Sequence, residues 1–299
     1  MIPTLRLATL LLCLSAAAGA RAGTPVDQTR PLDPRGKVEI DNLKGRIQVR
    51  AWDRPEVHIA GTLGEGVEKL EVEGDARSLE IKVKYPQSRW GGGNSGPSTL
   101  EVMVPVRASL EIDSVSAKVD VSGTGGGELQ IDTVSGDVVA AAAPSKAQVE
   151  TVSGTQRLTL NSGEVSSSTV SGDIVLRGRL DGEIKLGTVS GDIDLAVLER
   201  RPRQLDTNSV SGDTRVATAL ATNAEVGMTS VSGDLRLSLP RDVSARVSAE
   251  SFSGELSAPD AQVKRPAHGP GANLEHTYGN GEAKVRLETF SGDASVQLD

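Results

Sequence analysis

The chain has few of the residue types that most enzyme sites and metal centres need. Among 299 residues it has one cysteine, three histidines and an aromatic fraction of 2%. His58, His268 and His276 share no metal-site spacing with a second ligand type, and no nucleophile, base and orienting group can be assembled around them. The sequence therefore predicts no catalytic residues, no metal site and no cofactor. A core without aromatic residues must be built from Val, Ile, Leu and Ala in thin layers.

The N-terminus has the layout of a secretory signal peptide over residues 1–22. Arg6 precedes an apolar run over 7–14, and small residues lead to Ala20-Arg21-Ala22, which favours cleavage after Ala22. The apolar run is too short to span a bilayer, and no later stretch approaches the roughly 20 apolar residues of a membrane helix. The sequence predicts an exported protein, periplasmic, secreted or at the cell surface, without a transmembrane segment. Cys13 leaves with the signal, so no disulfide is expected.

The charge balance disfavours two classes of partner. Without Arg6 and Arg21 the chain keeps 30 of its 32 basic residues against 40 acidic ones, a net charge of about −10. Nucleic acids and anionic membrane surfaces are bound mainly through basic patches. We therefore expect no nucleic-acid partner, and an envelope or surface partner that is a protein or a glycan.

A five-residue phrase, typified by Thr-Val-Ser-Gly-Asp, returns along the chain. Its copies occupy residues 133–137, 151–155, 169–173, 188–192, 209–213, 230–234, 251–255 and 289–293, with a degenerate copy at 114–117. The intervals between central Val or Phe residues are 19, 18, 18, 19, 21, 21, 21 and 38 residues. Such regularity is typical of a solenoid. The predicted fold class is all-β, a parallel β-solenoid with coils of 18–21 residues.

The signal peptide and the repeat pattern divide the chain into four parts. Residues 1–22 are the signal peptide, and 23–36 form an extended leader with three prolines. Residues 37–106 form an N-terminal β region continuous with the solenoid, with a degenerate first coil at 38–49 and a hairpin connection near Gly74-Asp75. Residues 107–299 form the repeat solenoid, with a loop excursion at about 259–281.

The inward face of each coil must change phase just before the central Val of the phrase. Counted from the central Val, apolar residues recur at −5 and −3, as in Ile184 and Leu186, and at +4 and +6, as in Ile193 and Leu195. Alternate strand residues face opposite sides, so the odd and even pairs require a corner between them. We place the corner just before the phrase, with Val inward, Ser and Thr outward, and Gly where another backbone comes close. This predicts one buried column of Val134, Val152, Val170, Val189, Val210 and Val231.

The 38-residue interval predicts an excursion rather than an extra coil. The coils of Phe252 and Phe290 are then adjacent, with their rings close enough to touch at about 4.8 Å. We expect deletion of 261–279 to leave the fold intact. The excursion carries His268, His276 and Tyr278, and it forms either a partner-contacting segment or a flap over the open C-terminal edge. With Trp90, in the glycine-rich loop at 88–98, these are the candidate ligand-binding residues.

Two repeated columns of polar residues have alternative explanations. The Asp at the end of the phrase forms either a calcium ladder or a column of carboxylates that serve the turns. Ca²⁺ requires six to eight oxygens, and the Gly-Gly-x-Gly-x-Asp repeat of calcium-binding β-rolls is absent, which favours the turns. The Thr/Ser and Ser columns resemble the hydroxyl files of ice-binding solenoids. The second file is all Ser and lacks the methyl group, which favours simple hydroxyl ladders.

The iterated phrase, together with Ile-Gln-Val-Arg-Ala-Trp-Asp-Arg-Pro-Glu-Val at 47–57, resembles a family of exported bacterial β-strand-repeat proteins grouped as an adhesin domain of unknown function. The resemblance covers about 36–299. It implies a right-handed parallel β-helix in the cell envelope with an adhesin-like role, and it brings no catalytic residues.

A non-enzymatic binding or scaffolding module is thus the predicted function. The alternative is a carbohydrate-active β-helix enzyme of the polysaccharide lyase or hydrolase type. Such sites need carboxylates, Arg or Lys, and aromatic platforms, whereas Phe252 and Phe290 are expected at core positions. Acidic and basic side chains converging in one groove would favour the enzyme, and regular files would favour the module.

Overall fold

The structure, a computed structural model, describes residues 23–86, 95–267 and 270–299, and all regular elements in these ranges are β-strands. The strands are β1 (Thr24–Pro31), β2 (Lys37–Trp52), β3 (Glu56–Leu63), β4 (Lys69–Gly74), β5 (Ser78–Lys84), β6 (Ser98–Pro105), β7 (Ser109–Gly125), β8 (Glu128–Ser135), β9 (Val138–Ala143), β10 (Lys146–Ser153), β11 (Gln156–Ser171), β12 (Ile174–Ser190), β13 (Ile193–Val197), β14 (Gln204–Ser211), β15 (Thr214–Ala217), β16 (Glu225–Ser232), β17 (Leu235–Leu239), β18 (Ala245–Ser251), β19 (Leu256–Ser257), β20 (Val263–Lys264), β21 (Ala272–Tyr278), β22 (Ala283–Ser291) and β23 (Ala294–Leu298).

Each coil supplies one strand to each of two faces, and successive coils pair in parallel. The first face contains, in spatial order, β5, the first parts of β2 and β7, β8, β10, the second parts of β11 and β12, β14, β16, β22 and β18. The second face contains β6, the second parts of β2 and β7, β9, the first parts of β11 and β12, β13, β15, β17, β23 and β19. The predicted all-β array of parallel, stacked coils is confirmed.

The core lies between the two faces and consists of aliphatic layers. Ile131 and Val149 are 0% exposed on the first face, and Ile174 and Ile193 are 0% exposed on the second. These branched side chains suit the pleated surface of a strand. Because each layer is thin, a coil depends on its neighbours to complete its core.

The corner lies inside the repeated phrase, after the Val rather than before it. Ile184, Leu186 and Thr188 are all buried, and the inward phase resumes only at Ile193. The change of phase therefore falls across residues 190–192. The prediction of a buried Val column is wrong, since the exposed fraction is 47–49% at each of Val134, Val152, Val170, Val189, Val210 and Val231.

Strand alternation overrides side-chain polarity at this position. The alternation set by −5 and −3 continues to −1, so the small Thr or Ser lies inside the corner and the Val lies outside. One hydroxyl there reaches the corner backbone: Ser209 Oγ donates to the carbonyl of Gly212 at 3.3 Å. Several others in the column, among them those of Thr133, Thr169 and Thr188, have no hydrogen-bond partner among the described residues. The expected pair of outward hydroxyl files, and with it the ice-binding geometry, is excluded because Thr133, Thr151, Thr169 and Thr188 are buried.

The phrase needs its glycine because backbones of successive coils nearly touch there. A Cβ added at Gly191 would lie 2.0 Å from the carbonyl oxygen of Gly172, and the φ of Gly191 is 153°. The same obstruction, at 1.9–2.3 Å, recurs along the phrase glycines from Gly136 to Gly292. The predicted close approach of another backbone is confirmed.

The last coil does not lie last in the stack. β22 pairs with β16 on one side and with β18 on the other, so the coil of Phe290 lies between those of Val231 and Phe252. The two rings stack with centroids 4.7 Å apart and an interplanar angle of 6°. The predicted contact between the rings is confirmed.

The excursion is more than a loop, because it contains β20 and β21. β21 pairs antiparallel with β18 over seven residues, and Leu274 on β21 is 1% exposed. The segment thus covers the outer edge of the first face, as the expected flap would.

The N-terminal end of the stack is closed in the same way. The segment expected as an extended leader contains β1, which pairs antiparallel with β3, and β3 pairs antiparallel with β6. Pro25 and Pro31 fit there because β1 is an edge strand, where a missing N–H is tolerated. The predicted hairpin at Gly74 is confirmed, with β4 antiparallel to β5. Antiparallel strands thus cover both ends of the parallel stack.

Deleting 261–279 is now expected to expose the edge of β18, contrary to the expectation from the sequence. The deletion removes all seven pairing residues of β21, and an unpaired edge strand is a template for pairing with another chain. We expect concentration-dependent aggregates in light scattering of the deletion variant. A stable, monodisperse variant would show that β21 is dispensable.

Candidate functional site

The most prominent surface feature is a continuous column of exposed apolar side chains, one per coil, which we call the apolar ridge. In spatial order it consists of Leu43, Val115, Val134, Val152, Val170, Val189, Val210, Val231, Phe290 and Phe252. Each member is 42–56% exposed. At about 4.8 Å between strands, ten members span roughly 43 Å. The ridge is a consequence of the corner position, which turns every central residue of the phrase outward.

A groove of about 850 Å³ runs beside the ridge over its first half. Its other wall is the outward residue two positions before each ridge member. That wall is acidic in the early coils, with Asp113, Asp132 and Glu150, and it is small and uncharged in the middle coils. The uncharged members, in order, are Ser168, Gly187, Asn208 and Thr229. The middle of the ridge is therefore its least charged part.

A close set of carboxylates lies at the start of the acidic wall, around Asp113. Ligand atoms of Glu39, Glu111 and Asp113 lie within 4.8 Å of one another. Lys37 forms an ion pair with Glu111 and lies 3.8 Å from Glu39. Burial, and then the negative charge of Asp132, raises the pKa of Asp113 above its ordinary value. Because a lysine already neutralises part of this cluster, we assign no metal to it.

Asp113→Asn is expected to raise the urea midpoint at pH 7. The raised pKa means that the charged carboxylate destabilises the folded state, and the amide removes that charge. Below about pH 3.8 the carboxyl is protonated in both the folded and unfolded states, so the gain should disappear there. Asp120→Asn, on the second part of the same strand beside Gln48 and Val139, removes a carboxylate outside this cluster and is the control for the substitution itself. A lower midpoint for Asp113→Asn would contradict the repulsion.

The Asp column of the phrase is a ladder of hydrogen bonds. Oδ1 of Asp173 accepts the backbone N–H of Asp192 at 3.0 Å, and Oδ1 of Asp192 accepts that of Asp213 at 2.9 Å. The pattern continues to Asp234 and Asp293, at 3.1 Å each. The interpretation that these carboxylates serve the turns is confirmed, because each one holds the corner of the next coil.

The aromatic pair at the end of the ridge is exposed, not in the core as expected. Phe252 is 48% and Phe290 56% exposed, because both occupy the outward position of the phrase. They line a groove of about 880 Å³ together with Arg265 and Pro266 of the excursion. The ridge thus ends in a stacked and exposed aromatic pair.

The structure separates the candidate residues named from the sequence. Trp90 and His268 lie outside the described residues. His276 is half-buried on β21, with its ring centroid 4.5 Å from that of Tyr278. Tyr278 is buried and donates its hydroxyl to the carbonyl of Pro259 at 2.6 Å, and burial raises its pKa. Tyr278 therefore anchors the excursion, and neither residue belongs to the ridge.

Sequence reasoning missed the ridge because aliphatic side chains are expected to be buried, and a column of exposed valines goes against that expectation. The signal was present in the inward alternation, which runs through −5, −3 and −1 without a break. Extending that alternation by one residue would have placed Thr inside and Val outside.

The sequence matches a known family, and the fold is similar to that of several solved structures. The family model described as Toastrack DUF4097 matches residues 36–297. The structure is similar to that of a "putative adhesin" from Parabacteroides distasonis, with a TM-score of 0.55 and 14% identity over 93% of this chain and 98% of that one. A "putative adhesin" from Parabacteroides merdae has a TM-score of 0.55 and 11% identity over 93% and 97%.

A further similar structure from Parabacteroides distasonis is described as a "putative lipid binding protein", with a TM-score of 0.52 and 13% identity over 92% and 98%. Identities this low establish a shared fold alone. No curated protein matches the chain. Among the described residues, no helix has the length and apolarity required to cross a membrane.

Proposed function

The chain belongs to the Toastrack DUF4097 family, and from its apolar ridge we propose that it is a non-enzymatic binding or scaffolding module of the cell envelope, adhesin-like in architecture. The ridge is the observation that carries the proposal. Contiguous exposed apolar surface of several hundred Å² rimmed by polar residues marks an interaction site. A periplasmic, secreted or surface location and the right-handed sense of the coils, which the family resemblance implies, are part of this proposal.

The distribution of charge supports a module over an enzyme. Ion pairs join residues of the same coil or of neighbouring coils, as with Arg215 and Asp213 at 2.6 Å and Arg236 and Asp234 at 2.8 Å. Lys146 and Glu164 pair at 2.7 Å in the same manner on the first face. These pairs follow the regular files of the array, which is the pattern expected of a binding or scaffolding surface.

The proposal is tested by retention on envelopes isolated from the bacterium that produces the protein. We expect the wild-type chain to cosediment, and the triple variant Val152→Thr, Val170→Thr, Val189→Thr to lose most of that retention. Threonine keeps the β-branched shape, so the strands should remain folded. The control Val139→Thr, Val175→Thr makes the same change on the outer side of the second face and should bind as wild type.

The enzyme alternative predicts a different result. A polysaccharide lyase or hydrolase would release unsaturated or reducing ends from a panel of acidic and neutral polysaccharides. We expect no release by the wild-type chain. Release that survives the ridge substitutions would contradict the proposal, as would equal envelope retention of the ridge and control variants.

A further inference from the structure

We propose that the apolar ridge joins two copies of this chain, ridge to ridge, into a dimer. This inference rests on the proposed function, because it names the partner of the same surface. It commits to a second copy on three observations: the spacing of the ridge, its exposed area and the charge beside it.

The regular spacing of the ridge is matched by the ridge of a second copy of the chain. Its members repeat at the strand separation, about 4.8 Å, along a line of roughly 43 Å. A globular partner of irregular shape meets such a line at a few points. A second ridge has the same period, so side chains of the two can interdigitate along their whole common length, as identical side chains do in steric zippers.

The exposed area of the ridge is near the lower limit for a specific dimer. Its ten members are 42–56% exposed. At roughly 40–100 Å² for each half-exposed aliphatic or aromatic residue, one copy offers on the order of 600 Å². Two copies therefore bury about 1,200 Å², the small end of specific interfaces. A dimer held by this area should form at micromolar rather than nanomolar concentrations.

The charge beside the ridge favours contact at its middle. Val170, Val189 and Val210 are flanked on one side by Ser168, Gly187 and Asn208 and on the other by the serines of the phrase. An apolar line between uncharged borders does not require a charged partner. The chain from Gly23 onward keeps 30 basic residues against 40 acidic ones, a net charge of about −10, so two copies repel each other at long range. Added salt screens that repulsion and should strengthen the dimer, whereas it would weaken a complex held by opposite charges.

Sedimentation velocity of the purified chain from Gly23 onward, which contains all described strands, tests the inference. Between about 1 and 200 µM we expect a reversible monomer–dimer equilibrium that shifts toward dimer in 0.5 M NaCl. Val170→Lys at the centre of the ridge should weaken dimerisation at least tenfold, because a two-fold contact receives the charge twice. Val175→Lys, in the same coil on the outer side of the second face, is the matched control and should dimerise as wild type.

A milder variant keeps the test valid if Val170→Lys fails to fold. Val170→Thr with Val189→Thr retains the branched shape, and its circular dichroism and melting should match those of wild type while dimerisation weakens. A chain that stays monomeric at 200 µM overturns the inference. A dimer whose dissociation constant is the same in wild type and in both sets of ridge variants also overturns it.

Disulfide trapping identifies the contact directly, since the chain from Gly23 onward contains no cysteine. If the two stacks run parallel, Val134→Cys cross-links to itself. If they run antiparallel, Val134→Cys cross-links to Val231→Cys instead. Either product supports ridge-to-ridge contact, and the absence of both overturns it.

The two failures are distinguishable. A monomeric chain whose ridge variants still lose envelope retention overturns the dimer and leaves the binding module standing. A dimer that depends on the ridge, found together with no envelope retention, supports the dimer and overturns the binding module.

Discussion

Gly191→Ala is expected to destabilise the fold by about 3 kcal/mol, one of the largest losses available from a single methyl group. The added Cβ would lie 2.0 Å from the carbonyl oxygen of Gly172, and the φ of 153° is one that L side chains rarely adopt. The obstacle is the backbone of Gly172 and Asp173 in the preceding coil, so no side-chain rotation relieves it. Urea unfolding followed by circular dichroism measures the loss.

Gly187→Ala is the matched control for this substitution. Gly187 lies four residues earlier, in the strand β12 that ends just before Gly191, and a Cβ added there meets no atom within 4 Å. Alanine is favoured over glycine in a strand by about 0.5 kcal/mol, so this variant should be as stable as wild type or slightly more so. Equal losses at Gly187 and Gly191 would show that close approach of the coils is not what requires glycine in the phrase.

Cutting the chain at Lys185 is expected to leave neither half folded as a monomer. The cut falls within β12, whose two parts pair with β11 on one side and with β13 and β14 on the other. Each fragment would keep one end covered by antiparallel strands. At the cut it would expose an unpaired strand edge on both faces and leave part of its outermost core layer open to water. A coil gains its stability from its neighbours, and an open edge is a site of association.

The halves 23–184 and 185–299 should therefore aggregate or remain unfolded when expressed alone. Refolding them together restores the missing neighbours and should recover strand signal in circular dichroism. Two halves that each melt cooperatively as monomers would contradict the dependence of one coil on the next.

The phrase predicted the array because period and alternation are local properties of the sequence. The spacing of its copies predicted stacked coils, the glycine predicted close backbones, and the 38-residue interval predicted contact between Phe252 and Phe290. The family resemblance rested on the same residues, and membership is confirmed by the match over 36–297.

The order of the layers at the C-terminus was not predictable in this way. Nothing in the spacing tells that β22 inserts between β16 and β18, because either order places the two phenylalanines in neighbouring coils. The choice depends on β21, whose contact with β18 makes that strand the outermost of the parallel layers. His276 occupies one of its inward positions and interrupts the apolar alternation of the sequence, which was therefore too weak to identify the segment as a strand.

The ridge was missed for a different physical reason. Polarity suggested that Val is buried and Thr exposed, whereas the geometry of the strand decides the side on which each lies. Thr188 is 5% and Val189 47% exposed, the reverse of what transfer free energies alone would favour. An arrangement that places valine in water at every coil is locally unfavourable, and contact with a partner would remove that cost.

Thiol labelling of single cysteines placed at the two positions tests the outward ridge most directly. In the folded chain from Gly23 onward, Val189→Cys should react with a maleimide nearly as fast as in urea, measured below the concentration at which copies associate. Thr188→Cys, one residue earlier, should be protected until the protein unfolds. Protection of Cys at 189 with rapid labelling at 188 would place the valine column in the core and contradict the ridge.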